Sequence, residues 1–242
     1  MAATLLLAAP FACATTSAEA ASTDTSENFL RPFTAVLAVD WKGITAGIST
    51  LELTRNGGNL WTYSSRSEAR GLARLFVPGD ITQVSQFTLI DGAVLPQHFR
   101  GDDGSSDDSR DISLDFDWPH NRVSGVAERK KVSMELRPGA QDDLSAQIAA
   151  MVELARGTKL PPSFLVVDKD QIKEYRYRQE GAAHLKTAVG EVDTIVVSSQ
   201  RNGSPRTLRT WFAPSLGYVP VKAERTRDGK VEFSMVIRSL KR

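Results

Sequence analysis

RPGAQDDLSAQIAAMVELARG, residues 137–157, decides how the rest of the chain is read. Leu144, Ile148, Met151, Val152 and Ala155 recur at the spacing of one helical stripe. Asp142 and Asp143 suit the positive end of the helix dipole, and Arg156 suits its negative end. Gly157 can take the left-handed closing position, and Pro161-Pro162 forbid continuation. The stretch predicts one α-helix over about 142–156, set between two runs of residues that alternate with period two.

Working upstream, the clearest alternation is DISLDFDW, where Ile112, Leu114, Phe116 and Trp118 interleave with Asp111, Ser113, Asp115 and Asp117. One buried and one wet face is the pattern of an antiparallel sheet. Phe33 to Trp41, a segment ending in Leu51 and Leu53, Trp61 with Tyr63, Ile81–Ile90, Val94–Arg100, Val123–Ala127 and Val132–Leu136 read the same way. Asn56-Gly57-Gly58-Asn59 and Asp91-Gly92 supply turns that need positive φ. Downstream, Phe164–Val167, Ile172–Arg178, Val192–Ser198, Thr207–Phe212, Tyr218–Glu224 and Val231–Ile237 continue the pattern, with Asp228-Gly229 as a hairpin turn. The sequence therefore predicts a mainly β protein. Its expected form is a large curved antiparallel sheet, a half-barrel or open barrel of about eleven strands, covered by the one helix.

The N-terminal residues belong to a different category. Residues 1–20 carry an apolar run at Leu5–Ala9 and end in Ala18-Glu19-Ala20, the form of a secretory signal cleaved after Ala20. No Lys or Arg precedes the apolar run. The run is too short for a membrane span, which takes about 20 apolar residues. Cys13 is the single cysteine, and bulky Phe11 near it argues against lipoprotein anchoring. Residues 21–30 read as a flexible arm and 31–242 as a single β-rich domain, without disulfides after cleavage and placed in the periplasm. The whole chain has 30 Lys and Arg against 29 Asp and Glu, a balance that gives no general attraction to nucleic acid or to an anionic membrane.

No catalytic constellation is visible. His98, His120 and His184 are far apart and form no metal-ligand spacing. There is no nucleophile elbow, phosphate loop or dinucleotide fingerprint. The acidic run Asp102-Asp103-Gly104-Ser105-Ser106-Asp107-Asp108 lacks the spaced ligands and closing Glu of a calcium loop and reads as a solvated hairpin. No metal and no cofactor is expected. The aromatics suit either an ordinary sheet core or the wall of a ligand cavity. The cavity reading names Trp41, Trp61, Phe87, Phe116, Trp211 and Phe233 from the sheet, with Leu144, Ile148 and Met151 from the helix.

PGAQDDLSAQIAAM and the later WFAPSLGYVPVKAERTRDGKVEFSMVIRSL, with GITAGISTLELTRNGGNLWTYSSRSEARGLARLF near the start, resemble the exported bacterial proteins of the domain of unknown function 3108 family. The resemblance runs over nearly the whole mature chain. It implies no established catalytic residues, and at the level of fold it is distantly similar to the lipoprotein carriers of the bacterial envelope, in which a curved sheet wraps around helical cover. The helix stripe is modest, with alanines at 146, 149, 150 and 155, so a large concave face would leave room. The leading expectation is a periplasmic protein that binds or carries an apolar, lipid-like ligand. The alternative is an envelope interaction module with a filled core and an exposed edge strand that meets another protein. A hydrolase with an unrecognised site ranks third.

Overall fold

The computed structural model describes residues 30–75 and 79–242. The expected signal peptide, Cys13 and all of the expected arm except Leu30 lie outside the described residues. Fourteen strands form one antiparallel sheet, more than the eleven or so expected. The first run comprises β1 (Phe33–Trp41), β2 (Ile44–Gly57), β3 (Leu60–Ala69), β4 (Ile81–Ile90), β5 (Ala93–Asp102), β6 (Ile112–Asp117), β7 (Arg122–Ala127) and β8 (Lys130–Glu135). After the helix α1 (Ser145–Ala155) come β9 (Ser163–Asp168), β10 (Gln171–Thr187), β11 (Gly190–Arg201), β12 (Arg206–Ala213), β13 (Val219–Arg227) and β14 (Lys230–Lys241).

Each strand pairs with its sequence neighbour, and β1 also pairs with β14. The first and last strands thus meet in the middle of the sheet. The two sheet ends are β8 and β9, which are consecutive in sequence and joined through α1. The sheet is a ring of ladders with one ladder missing, and it does not close into a barrel.

Burial follows the alternation that the sequence displays. In β1, Phe33, Ala35, Leu37 and Val39 are buried, and in β6 Leu114 and Phe116 are buried between exposed Asp115 and Asp117. Asp91-Gly92 and Asp228-Gly229 turn with positive φ as expected. A less visible turn is Glu128-Arg129, where two bulky residues hold φ values of 51° and 64°. The sequence reads there as a basic strand end, because neither residue is a turn former.

The helix departs from expectation in one instructive way. It does not lie across the sheet with one face in water. Ala146, Ile148, Ala149, Ala150, Met151, Val152 and Leu154 are all buried. Ala146 and Ala149 are enclosed with the rest, while Ala150 borders a small space between the helix and the later strands.

The helix also starts later than predicted, at Ser145 after the N-cap position Leu144, and the Asp142 side chain holds the turn that leads into it. Asp142 Oδ1 accepts the amide protons of Leu144 (2.9 Å) and Ser145 (2.8 Å). Ser145 Oγ in return accepts from the Asp142 amide at 2.8 Å. This reciprocal arrangement satisfies amides that a helix start leaves orphaned.

Candidate functional site

The chain reaches the interior through the gap between β8 and β9. Gln141 pairs in parallel with Val166 of β9: its amide donates to Leu165 O, and Val167 N donates to Gln141 O, both at 2.8 Å. Its side-chain amide donates to Val94 O of β5 at 2.9 Å. Asp142 Oδ2 then accepts a hydrogen bond from Ser85 Oγ of β4 at 2.6 Å. One helical turn on, the fully buried Tyr63 of β3 donates its hydroxyl proton to Gln147 Oε1. The polar side-chain bonds that tie down the helix entry therefore all reach β3, β4 and β5.

On its other side α1 faces β10–β12 across a cleft of about 100 Å³. Leu144 and Ala150 line it from the helix, and Tyr177, Val197, Thr210 and Phe212 line it from the strands. Asp143, Gln147 and Ser199 add polar atoms, and Leu208 is partly exposed beside them. Burial pushes the Asp142 carboxyl up to about 6, against the pull of the hydrogen bonds it accepts from Ser85, Ser145 and Leu144. Asp143 is pushed up to about 7 by the protein crowded around it and then by Asp168 and Asp142, while Lys173 pulls the other way. Asp143 still touches solvent, so water screens its shift, and Asp142 is the firmer case. Lys173 is itself engaged with Asp168 at 2.5 Å. Burial also raises the hydroxyl of Tyr177.

Of the expected lining residues, Trp61, Phe87, Phe116, Leu144, Ile148, Met151 and Trp211 lie in one buried apolar cluster, and Trp41 and Phe233 lie outside it. Trp61 and Phe87 are cross-strand partners in the apolar core, where Phe116, Ile148 and Met151 also sit. Leu144 reaches the cleft. Trp41 is 48% exposed at the end of β1 beside its register partner Phe233, which lies under the Arg225 guanidinium at 5.6 Å. Trp211 stands between Thr210 and Phe212, so it faces the side of the sheet away from the cleft, with Lys222 Nζ 4.5 Å from its ring. Size drew attention to Trp211. The parity of Leu208, Thr210 and Phe212 is the signal in the sequence that marks the cleft side.

The histidines do not converge. Each pairs with its own aspartate: His98 with Asp115 at 2.6 Å, His120 with Asp117 at 2.8 Å, and His184 with Asp193 at 2.8 Å. The aspartates are largely exposed, and so are His120 and His184. In the acidic loop, carboxylate oxygens of Asp102, Asp103 and Asp111 lie within 4.8 Å of one another. Partial burial and then these neighbours raise the Asp111 carboxyl. Arg110 at 3.3 Å from Asp103 and Arg129 at 2.6 Å from Asp108 offset part of the loop's negative charge from within the chain.

The model of the family described as "Protein of unknown function (DUF3108)" matches residues 37–236. The chain belongs to this family. By fold, the DUF3108 chain is similar to a β-barrel-like protein of domain of unknown function DUF1849 from Brucella abortus. The TM-score is 0.57 at 10% identity, over 87% of this chain and 97% of that one. A "putative lipoprotein" from Parabacteroides distasonis matches at a TM-score of 0.36 and 8% identity, over 88% and 96% of the two chains. No curated protein matches the sequence. Among the described residues, no helix is long and apolar enough to cross a membrane.

Proposed function

We propose that this DUF3108 protein is an exported component of the bacterial envelope that works by binding another protein, with the free edge of β8 as its recognition element. The observation that carries this reading is the inequality of the two sheet ends. The edge of β9 is covered by Gln141. In the β7–β8 hairpin, the two-residue turn Glu128-Arg129 makes Ala127 and Lys130 the first pair to exchange both hydrogen bonds. Lys130, Val132 and Met134 therefore turn their main-chain groups toward β7, and Lys131, Ser133 and Glu135 turn theirs outward. Among the described residues, no main-chain partner meets that outward row. An extended peptide added there gains main-chain hydrogen bonds without unfolding anything. The signal-like residues 1–20 support export.

The test places a photo-cross-linker at Lys131 in cells that produce the full chain. Expected is one discrete protein adduct, lost when Ser133→Pro is added. Proline removes an outward N–H on an edge strand and one exposed side-chain bond, from Arg122 to Ser133 Oγ at 3.0 Å, so melting should stay near that of the parent. No adduct, or one indifferent to Ser133→Pro, overturns the reading.

A second reading is kept by the cleft beside α1. At about 100 Å³ it falls below the roughly 300 Å³ of ordinary ligand pockets, so it would accept the end of an apolar chain rather than a whole lipid. Saturable binding of a fluorescent fatty acid, abolished by Ala150→Phe in a variant that still folds, would favour it. Absence of saturation in the parent removes it.

A further inference from the structure

The strands that wall the cleft carry a second concavity on their opposite face. Arg176 and Arg178 of β10 alternate with Tyr177, so they point away from α1. Register sets two neighbouring rows on that outer face. Arg178 pairs with Ser198, and Ser198 pairs with Arg209. Arg176 pairs with Gln200, and Thr207 pairs with Thr226. Together they floor an open groove of about 640 Å³, lined also by Pro162, Pro205 and Gly229.

One carboxylate stands in this groove. A bulge leaves Glu180 unpaired between Gln179 and Gly181, and glycine accommodates the φ of 127° that follows. The bulge swings Glu180 onto the outer face, where Arg178 (2.8 Å) and Arg209 (2.7 Å) hold it from two sides. Burial works to raise the Glu180 carboxyl, but hydrogen bonds from Arg178, Ser198 and Arg209 outweigh it and bring it below the usual carboxylate range. Arg178 reaches Glu180 through Nη2 and Arg209 through Nε, so each keeps further N–H donors of its five for another acceptor. Among the described residues, the Arg176 guanidinium and the Thr207 hydroxyl have no hydrogen-bond or ion-pair partner. Nearby Glu174 accepts from Ser163 Oγ at 2.7 Å.

Three guanidiniums against one carboxylate leave an excess of two positive charges in the groove. Planar forks with spare donors are the geometry that recognises phosphate oxygens. The wider region agrees: residues 160–242 hold 15 Lys and Arg against 9 Asp and Glu, while residues 30–135 hold 12 against 14. We propose that the groove over β10–β13 binds a phosphate group, with Arg176 as its uncommitted anchor and Arg178 and Arg209 as clamps preset by Glu180. This site lies on the other face of the sheet from the cleft and does not depend on the edge of β8.

Arg176 gives the clean variant, because no partner in the fold loses a contact when it changes. Inorganic phosphate is titrated into the mature protein and followed by NMR at the amides of Arg176, Gln200 and Thr207. In a second arm, vesicles of phosphatidylglycerol and of phosphatidylcholine are compared by co-sedimentation. The first arm reads a free phosphate and the second a lipid headgroup. Expected is saturable binding in at least one arm, weakened about fivefold or more by Arg176→Gln. Arg176→Lys should recover part of it, and Arg122→Gln on the far half should leave it unchanged. Shifts without saturation in the first arm together with no anionic-vesicle binding in the second overturn the site. Binding that Arg176→Gln leaves intact overturns it equally, and unchanged melting of that variant shows that the fold is not at issue.

Discussion

The two halves of the sheet treat the helix differently. Strands β3–β5 grip it with polar bonds as well as apolar contact: Tyr63 to Gln147, Ser85 to Asp142, and Gln141 to the Val94 carbonyl. Strands β10–β12 stand off from it across the cleft. The first half therefore carries the helix as part of its own core, and the second half is laid against that unit. The chemistry follows the division. The acidic loop belongs to the first half, and the arginine-floored groove belongs to the second. A sheet that is continuous in hydrogen bonds need not be uniform in what holds its parts.

The harshest way to break the comparison is to spoil the helix itself. Ile148 is fully buried in the core cluster. Ile148→Asp buries an unpaired carboxylate and is expected to abolish folding of both halves. Ile148→Ala should cost about 2–5 kcal/mol. Thermal unfolding of both variants checks this, with circular dichroism for strand content. If the Asp variant melts like the parent, α1 does not organise the interior.

A change at the helix entry separates grip from charge. A carboxyl whose pKa is raised in the folded state holds its proton more tightly there than in the unfolded chain. For Asp142, raised from an ordinary 3.8 to about 6, stability is fullest below about pH 4, falls as pH rises through 6, and is level above that. The fall is about 3 kcal/mol at roughly 1.4 kcal/mol per unit. Asp142→Asn keeps an oxygen for the Leu144 and Ser145 amides and offers N–H to Ser85 Oγ. Expected is a variant near the parent at pH 4 and more stable than it at pH 8, read from denaturant unfolding across that range. A constant difference at all pH values would mean that Asp142 is not the titrating group.

These sites also mark what the sequence could and could not disclose. Period-two alternation placed all fourteen strand segments, β7 and β8 separately among them, although their number was put at about eleven. The helix was legible from Leu144, Ile148, Met151 and Val152. Its surroundings were not, since alanines at 146, 149 and 150 suit an empty neighbour and a close neighbour equally well. The ring topology rests on β1 meeting β14, a pairing of residues some 200 positions apart with no local signature. The groove stayed hidden for the same reason: Arg176, Arg178 and Arg209 become neighbours only through register.

A smaller effect measures the polar grip alone. Tyr63 is fully buried, and its hydroxyl meets Gln147. Tyr63→Phe leaves the ring against Phe33, 6.2 Å away centre to centre, and removes only the hydrogen bond. The expected loss is about 1 kcal/mol, with Gln147 free to turn toward the cleft. Equilibrium unfolding gives the number, and a loss near zero would mean that the first half holds α1 by apolar contact only.

The smallest effect is expected where the ring of ladders is open. Glu128, in the β7–β8 turn, pairs with Lys169, in the β9–β10 turn, so one ion pair spans the gap between the two sheet ends. The hydrogen bond to Glu128 raises the Lys169 ammonium above its ordinary value, with burial opposing and the charges of Glu128, Asp168 and Asp170 adding. Both side chains are more than a third exposed, and pairs of this kind contribute about 0–1 kcal/mol. Lys169→Ala should therefore barely move the unfolding midpoint. Hydrogen exchange asks the sharper question. If α1 and Gln141 already hold the halves together, amides of β8 and β9 will exchange at parental rates in the variant. If the ion pair is what keeps the gap shut, those two strands will exchange faster while β3–β5 do not. That second outcome would make the division between the halves a working joint rather than a feature of packing, and it would place the joint beside the bare edge of β8.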